Sequence, residues 1–424
     1  MKKVLIISYY WPPSAGSGVQ RWLKFAKYLQ DYNWKPIIYT PSNPYFEIND
    51  LRLLDDIPDN IQVWKNHIWE PYRLKDLLFG KENKNQSSGL IMNRKSWKNQ
   101  FLNWFRGNIF IPDPKVYWVN PSINFLRKRI QEEGINHIIT TGPPHSMHLI
   151  GLGLKKNFKK LKWIADFRDP WSELDLLDEF HLTSFARNKN RKLEKEVLKN
   201  ADICVSVSET WVCNLKKLGA KNVALLTNGY DADDFNIKNN NSDKFIIGHY
   251  GLLNHLRNPE KLWKILNELC GENSEFNNKL EIHLSGNIDN DIINSISSYN
   301  FLKDKLKELG YLSHHDVVNQ YNKSSVLVLL LFNSKSGIGN YPGKIFEYFA
   351  AKKPILAFGP ANSDVEKLIN ETKSGIYHNY MSEINLKKDI IRIYNKSISF
   401  NFSKIEKYSR KKLTGDLVNL LNSM

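Results

Sequence analysis

A chain of 424 residues is too long for one ordinary hydrophobic core and fits two domains of about 200 residues, each able to bury roughly 70% of its unfolded surface. Its 60 Lys and Arg against 44 Asp and Glu give a formal charge of +16, which favours polyanions (nucleic acid, anionic lipid, phosphorylated substrates) without choosing among them; a coding bias toward Lys and Asn accounts for part of it. Cys204, Cys213 and Cys270 show neither metal-ligand spacing nor an even-numbered framework and read as reduced, buried thiols of a cytosolic protein. No stretch approaches the roughly 18 apolar residues of a spanning helix, which argues against an integral membrane protein.

The opening run KVLIISYY is too short for a signal-peptide core with its cleavage site and reads as the first strand. WPPSAGSGVQ is a Gly and Pro loop leading into a helix whose Trp22, Phe25, Ala26 and Leu29 recur at helical spacing, and KPIIYTP is the second strand. The loop lacks the full G-x-G-x-x-G pattern and no acidic residue closes the second strand, so a nicotinamide site is not expected. From about 80 to 118 the alternation breaks. A polar tract, KENKNQSSG, precedes a segment in which Trp97, Phe101, Trp104 and Phe105 form one helical stripe among Arg94, Lys95, Lys98 and Arg106. Two readings fit it: a helix lying in an anionic membrane interface, or the packed face of a surface helix.

HIITTGPPHSMHLIGLGLKK reads as strand, tight loop and apolar helix, with His145 beyond the strand's carboxyl end, where side chains face a ligand crevice. KWIADFRDPW is a strand ending in Asp166, Arg168, Asp169 and Trp171, either a self-satisfied ion-pair cluster or an acceptor site. A charged helix over about 187–200, the strand ADICVSVSE and the segment TNGYDADDF follow, and KNNNSDK, almost without apolar residues, marks a domain boundary. FIIGHYGLLNHLRNPEKLWKIL repeats strand, loop and helix, with Arg257 and Lys261 at the loop and the start of the helix. KLEIHLSGN adds a strand. His314 and His315 show no ligand-like set of partners and are read as structural.

The run 325–332, SVLVLLLF, is a strand buried on both faces, and NSKSGIGNYPG after it carries three glycines and a proline. A helix from Lys344 to Ala351 then points its unpaired N–H groups at whatever that loop holds, which makes an anion site. Ile345, Phe346 and Phe349 form its buried face, leaving Lys344 and Glu347 three apart on another. A plain polar connection with a solvated ion pair is the alternative.

KIFEYFAAKKPILAFGP resembles the nucleotide-sugar-binding segment of family 4 glycosyltransferases; TNGYDADDF resembles that family's Asn-Gly-x-Asp-x-x-x-Phe segment, and RDPW a segment common in its bacterial members. The resemblance implies a GT-B fold, α/β, with two Rossmann-like domains facing a central cleft. It implies an acceptor-binding domain over 1–238, with the basic aromatic insertion at about 80–118, a nucleotide-sugar domain over 239–404, and a helix over 405–424 packing back toward the first. The implied activity is metal-independent hexosyl transfer without a cofactor, from a nucleotide sugar, with UDP-sugars favoured, to a glycan or polyprenyl-linked acceptor. Retention of configuration and a place in bacterial surface polysaccharide synthesis go with it.

Residue by residue, Glu347 takes the role of holding the donor ribose hydroxyls. Gly343, Gly16 and Gly18 offer backbone to the donor diphosphate, and Arg257, with Lys261 or Lys344, neutralises it. His145 positions the donor sugar or its phosphate; Arg168, Asp169 and Asp166 lie on the acceptor side. The family's second glutamate, eight positions before Glu347, is Gly339 here, which cannot make a side-chain contact to the donor sugar. The expected location is cytoplasmic, with peripheral contact at the inner membrane face through the aromatic insertion and no nucleic-acid partner. Two other classes use the same features: a GT-B nucleotide-sugar epimerase, and a non-enzymatic basic polyanion-binding protein.

Overall fold

The first strand, β1 (Lys2–Ile7), is exposed at Lys2 and buried from Val4 onward because it runs into the middle of a parallel sheet. The structure is a computed structural model that describes residues 1–46, 49–70, 97–235, 242–381, 383 and 385–424. Within them the chain divides into two units, Met1–Thr227 with Leu413–Met424, and Asn228–Lys412.

In the first unit β2 (Trp34–Pro41), β3 (Gln62–Asn66), β4 (His137–Gly142), β5 (Lys162–Phe167), β6 (Ile203–Ser206) and β7 (Val223–Leu225) join β1 in the order β3-β2-β1-β4-β5-β6-β7. Every pairing is parallel, with Leu5 beside Ile37 on one side and Ile138 on the other. The chain runs outward from β1 to β3 and then returns to the other side of β1, so a crevice opens beyond the carboxyl ends of β1 and β4, the position that binds ligands in open α/β sheets. The helix Ser17–Leu29 starts at Gly16, whose φ of +111° only glycine adopts without strain, and buries Trp22, Phe25, Ala26 and Leu29. The helix Ser184–Asn200 is capped by the Thr183 side chain, three residues earlier than the sequence reading placed it.

The second unit has β8 (Phe245–Tyr250), β9 (Leu280–Ser285), β10 (Leu306–Glu308), β11 (Val326–Leu330), β12 (Ile355–Gly359) and β13 (Gly375–Asn379) in the order β10-β9-β8-β11-β12-β13, again parallel throughout. Its crevice opens between β8 and β11. Each unit is thus Rossmann-like, with its own core: Leu5, Ile37, Trp118, Leu126, Ile138 and Trp163 in one, Ile247, Leu262, Trp263, Ile282, Val328 and Leu356 in the other.

The division falls at Thr227 and Asn228 rather than at 238 and 239, because the segment from Asn228 to Phe235 is held by the second unit. The Tyr230 N–H donates to the Tyr408 carbonyl at 3.1 Å and the Arg410 N–H to the Tyr230 carbonyl at 2.7 Å. At the C-terminus, residues 413–424 belong to the first unit, and Leu413, Leu417, Val418 and Leu421 pack in one cluster with Trp22, Phe25 and Leu29. Cys204 and Cys270 are buried, whereas Cys213 is exposed on the helix Glu209–Lys217, contrary to the expectation of three buried thiols. Among the described residues no helix is long and apolar enough to cross a membrane.

The basic aromatic segment forms the helix Trp97–Ile109. Arg94, Lys95 and the side chains of Trp97 and Lys98 lie outside the described residues. The rest of the stripe does not pack inward: Phe101, Trp104 and Phe105 are 57%, 37% and 39% exposed, while Asn103 is the buried side chain of that turn. Ring contacts link Trp104 to Phe101, Phe101 to Phe105, Phe105 to Phe110, Phe110 to Tyr117 and Tyr117 to Trp69, so the exposed aromatics are continuous across three segments of chain.

Candidate functional site

Three loops of the second unit meet at the carboxyl edge of its sheet. Gly286, after β9, has φ +111°, and a Cβ there would lie 2.5 Å from the carbonyl oxygen of Gly251, which follows β8. A Cβ on Gly251 would in turn lie 2.7 Å from Lys344 Nζ, so the lysine that opens the helix after β11 reaches across the crevice onto the loop after β8. Gly337 is equally constrained, since a Cβ there would collide with the Phe332 carbonyl oxygen at 2.0 Å. The backbone approaches closely at each point, as a phosphate-holding crevice requires.

Arg257, in the turn after β8, lays its guanidinium 3.6 Å from the centroid of the Phe332 ring, and its Nε is buried without a hydrogen-bond partner. Burial lowers its pKa to about 10, partly opposed by Tyr380. Lys344 is lowered too, first by burial and then by the charge of Arg257, against the pull of Glu347. A partly buried lysine that a neighbouring guanidinium destabilises is compensated when an anion enters. Glu347 points into the same region. Burial alone would raise its carboxyl, but the close His314 ring, the Tyr321 hydroxyl and the Lys344 charge outweigh burial and hold it at about 2. It is therefore an ionised acceptor at any physiological pH.

Other expected donor residues fall differently. Gly343 precedes the helix as its cap, and Gly339 closes the short turn Ser336–Ile338 of the same loop. Lys261, which could share the phosphate role or only face solvent, donates its ammonium to the Met381 carbonyl at 2.6 Å and lies 3.5 Å from the exposed Glu383 carboxylate. His314, read as structural, stands 3.6 Å from the Glu347 carboxylate.

In the first unit the crevice beyond β1 and β4 gathers the glycine loop, His145 and Arg168. Arg168 donates from Nη2 to the Pro143 carbonyl at 2.6 Å and from Nε to Thr141 Oγ1 at 3.1 Å, which turns Nη1 onto Gly18, where a Cβ would lie 2.4 Å away. A side chain at 18 would displace the guanidinium. His145 is buried and stacked on Trp171, with centroids 5.0 Å apart and rings 4° from parallel. Burial, then the charges of His148 and Arg168, hold its pKa far below the usual histidine range, so it is a neutral imidazole.

Asp169 is pushed up by burial, with Arg168 opposing. Asp166 does not belong with these residues. It is fully buried, and its carboxylate accepts from Arg21 Nε (3.1 Å) and Nη2 (2.9 Å), Trp22 Nε1 (2.9 Å) and Thr141 Oγ1 (3.0 Å), which leaves nothing for a substrate. The ion-pair reading holds for Asp166, and its cation is Arg21, a residue the sequence reading did not single out. A cavity of about 590 Å³ lined by Lys162, Lys216 and Lys221 lies at the opposite, amino-terminal edge of β5 to β7, away from these groups. Among the described residues no group of three His, Cys, Asp or Glu could hold a metal ion.

No protein-family model matches the sequence, and no curated protein is significantly similar to it. Solved structures do share its fold over its whole length. A glycosyltransferase from Rickettsia africae matches with TM-score 0.62 at 14% identity, covering 100% of this chain and 98% of its own. TarM of S. aureus, as a mutant in complex with fondaparinux, alpha-GlcNAc-glycerol and UDP, matches with TM-score 0.62 at 13% identity and full coverage of both chains. A putative UDP-N-acetylglucosamine 2-epimerase from Listeria monocytogenes matches with TM-score 0.56 at 12% identity, covering 100% of this chain and 96% of its own. The fold class is GT-B, with two Rossmann-like α/β domains.

Proposed function

We propose that the protein is a family 4-like glycosyltransferase that takes a sugar from a nucleotide donor, a UDP-sugar in the favoured case, and passes it to a glycan or lipid-linked glycan. The observation that carries this reading is the switch-point crevice of the second unit, where Arg257, Lys344 and a helix N-terminus converge beside the ionised Glu347. Cations and amides suit a diphosphate; a carboxylate one turn into the helix suits the ribose diol. As the bond from the anomeric carbon to the diphosphate oxygen breaks, charge builds on that oxygen, and fixed donors lower the barrier by meeting it without reorganisation.

Arg257 and Lys344 provide that charge from the protein, so turnover is expected to survive chelation by EDTA. Neutral His145 and the Arg168 guanidinium, both beyond β4 and β5, are proposed to position sugar groups on the acceptor unit, with Asp169 beside them. The family resemblance implies retention of configuration, although Gly339 stands where the family has its second glutamate; the anomeric coupling of the product reports the outcome by proton NMR.

The TarM relative is in complex with UDP, which supports UDP as the first nucleotide to try. Thermal shift against UDP-, GDP- and CMP-sugars tests the reading, since a donor at about 100 times its Kd stabilises the fold by about 2.7 kcal/mol. Arg257→Ala should lower turnover more than stability. No shift with any donor, or release of an epimerised sugar nucleotide without an acceptor, overturns the transferase reading.

The exposed aromatics from Trp69 to Trp104 favour docking to an anionic membrane at its cytoplasmic face, where a polyprenyl-linked acceptor in bacterial surface polysaccharide synthesis would be met. Apolar surface of this extent is uncommon on a protein without a partner for it.

A further inference from the structure

Glu347 is held from one side by a single helix. Tyr321 donates its hydroxyl to Oε2 at 2.7 Å, and His314 Nε2 lies 3.6 Å from Oε1. Both come from His314–Lys323, seven residues apart and so two turns along one face. The helix is fixed at its start by Ser313, whose side chain accepts from the Asp316 N–H. Tyr321 is fully buried, whereas the His314 side chain is 30% exposed.

We propose that His314 is a donor-positioning residue: as an imidazolium it pins Oε1 of Glu347 while Tyr321 pins Oε2, so that nucleoside diphosphate affinity follows the protonation of His314. The inference rests on the donor-site reading above. A carboxylate offers about four lone-pair directions, and these two partners leave two for the cis-diol of a ribose. At 3.6 Å the histidine contact is an ion pair rather than a hydrogen bond, so it depends on the charge of the ring.

Among the described residues, the other charged and titratable groups on the elements around the pair include Lys344 and Tyr348 on the helix of Glu347, Tyr250 and His249 at the end of β8, Arg257 beyond it, Asp233 and Asp234 on the turn Ala232–Phe235, and His315 and Asp316 on the same helix as His314. Burial raises Tyr321, Tyr348 and Tyr250 and lowers His249 to about 4, which takes them out of the histidine range. The sign follows from charge: an anionic nucleotide binds the protonated form better, so affinity rises as pH falls through the range of histidine titration.

Isothermal titration of the full chain with UDP, GDP, CDP and ADP at about pH 6 and about pH 8.5 tests this. Comparing variants at one pH cancels the ionisation of the nucleotide itself. His314→Gln should bind about fivefold more weakly than wild type at the lower pH and equally at the higher. His314→Lys should keep the low-pH affinity at both. His315→Gln, on the exposed neighbour, should follow wild type throughout. If nucleotide binds and Glu347→Ala weakens it while His314→Gln tracks wild type at both pH values, the positioning role is overturned and the donor site stands. If wild type binds none of the four nucleotides, the donor-site reading falls and this inference with it.

Discussion

At Glu347 a partly buried carboxylate stays ionised because a phenol, an imidazole and an ammonium together outweigh the cost of desolvation. Replacing it with Ala should weaken nucleotide binding by roughly 1.5 to 3 kcal/mol, the range of a hydrogen bond to a charged acceptor, as read by titration calorimetry on a folded variant. Glu194 shows the opposite balance. It is buried, its main partner is the Ser172 hydroxyl, and burial raises its pKa to about 7. A carboxyl that binds its proton more tightly folded than unfolded adds stability below its unfolded value, near 4.5, and that contribution is lost as pH rises through about 7. Glu194→Gln should therefore remove a loss of roughly 2 to 3 kcal/mol between acid and neutral pH. Urea melts at about pH 5 and about pH 8 should show the variant less pH-dependent than wild type; equal slopes would leave Glu194 with an ordinary pKa.

The helix Trp97–Ile109 turns its aromatic stripe outward, and that orientation decides what its substitution does. Trp104→Ala with Phe105→Ala should leave Tm nearly unchanged, because exposed rings contribute little to the core, while reducing sedimentation with anionic liposomes. A large fall in Tm with lipid binding intact would mean that the rings pack in solution. Sequence made the existence of this helix legible and not its orientation, since a stripe has the same period whether it meets protein or water.

The helix Lys344–Ala351 and the buried runs of β1 and β11 were legible for a firmer reason: parallel strands are continuous apolar segments, and glycine loops punctuate their ends. The short strand β3 was not, because Gln62, Lys65 and Asn66 leave only Trp64 buried. The surroundings of Asp166, Lys261 and His314 were not legible. Each is decided by a partner distant in sequence, respectively Arg21, Met381 with Glu383, and Glu347, and no local pattern announces such a pairing.

In the whole molecule the second unit is an insertion into the first. Residues 228–412 leave the first unit after Thr227 and return to it at Leu413, and their two ends run side by side, joined by the bridge between Tyr230 and Ser409. This has a consequence for the order of folding. Until the insertion is folded, docking Leu413, Leu417 and Leu421 against Trp22 and Phe25 means closing a loop of nearly two hundred disordered residues. Once it is folded, the same closure spans only a few, a saving of roughly 3 kcal/mol in chain entropy. The closing segment should then be a latecomer. In pulse-labelled hydrogen exchange during refolding, amides of 413–422 should gain protection no earlier than those of β8 and β11, and a variant that stalls folding of the insertion should leave that last helix open while β1, β4 and β5 are already protected.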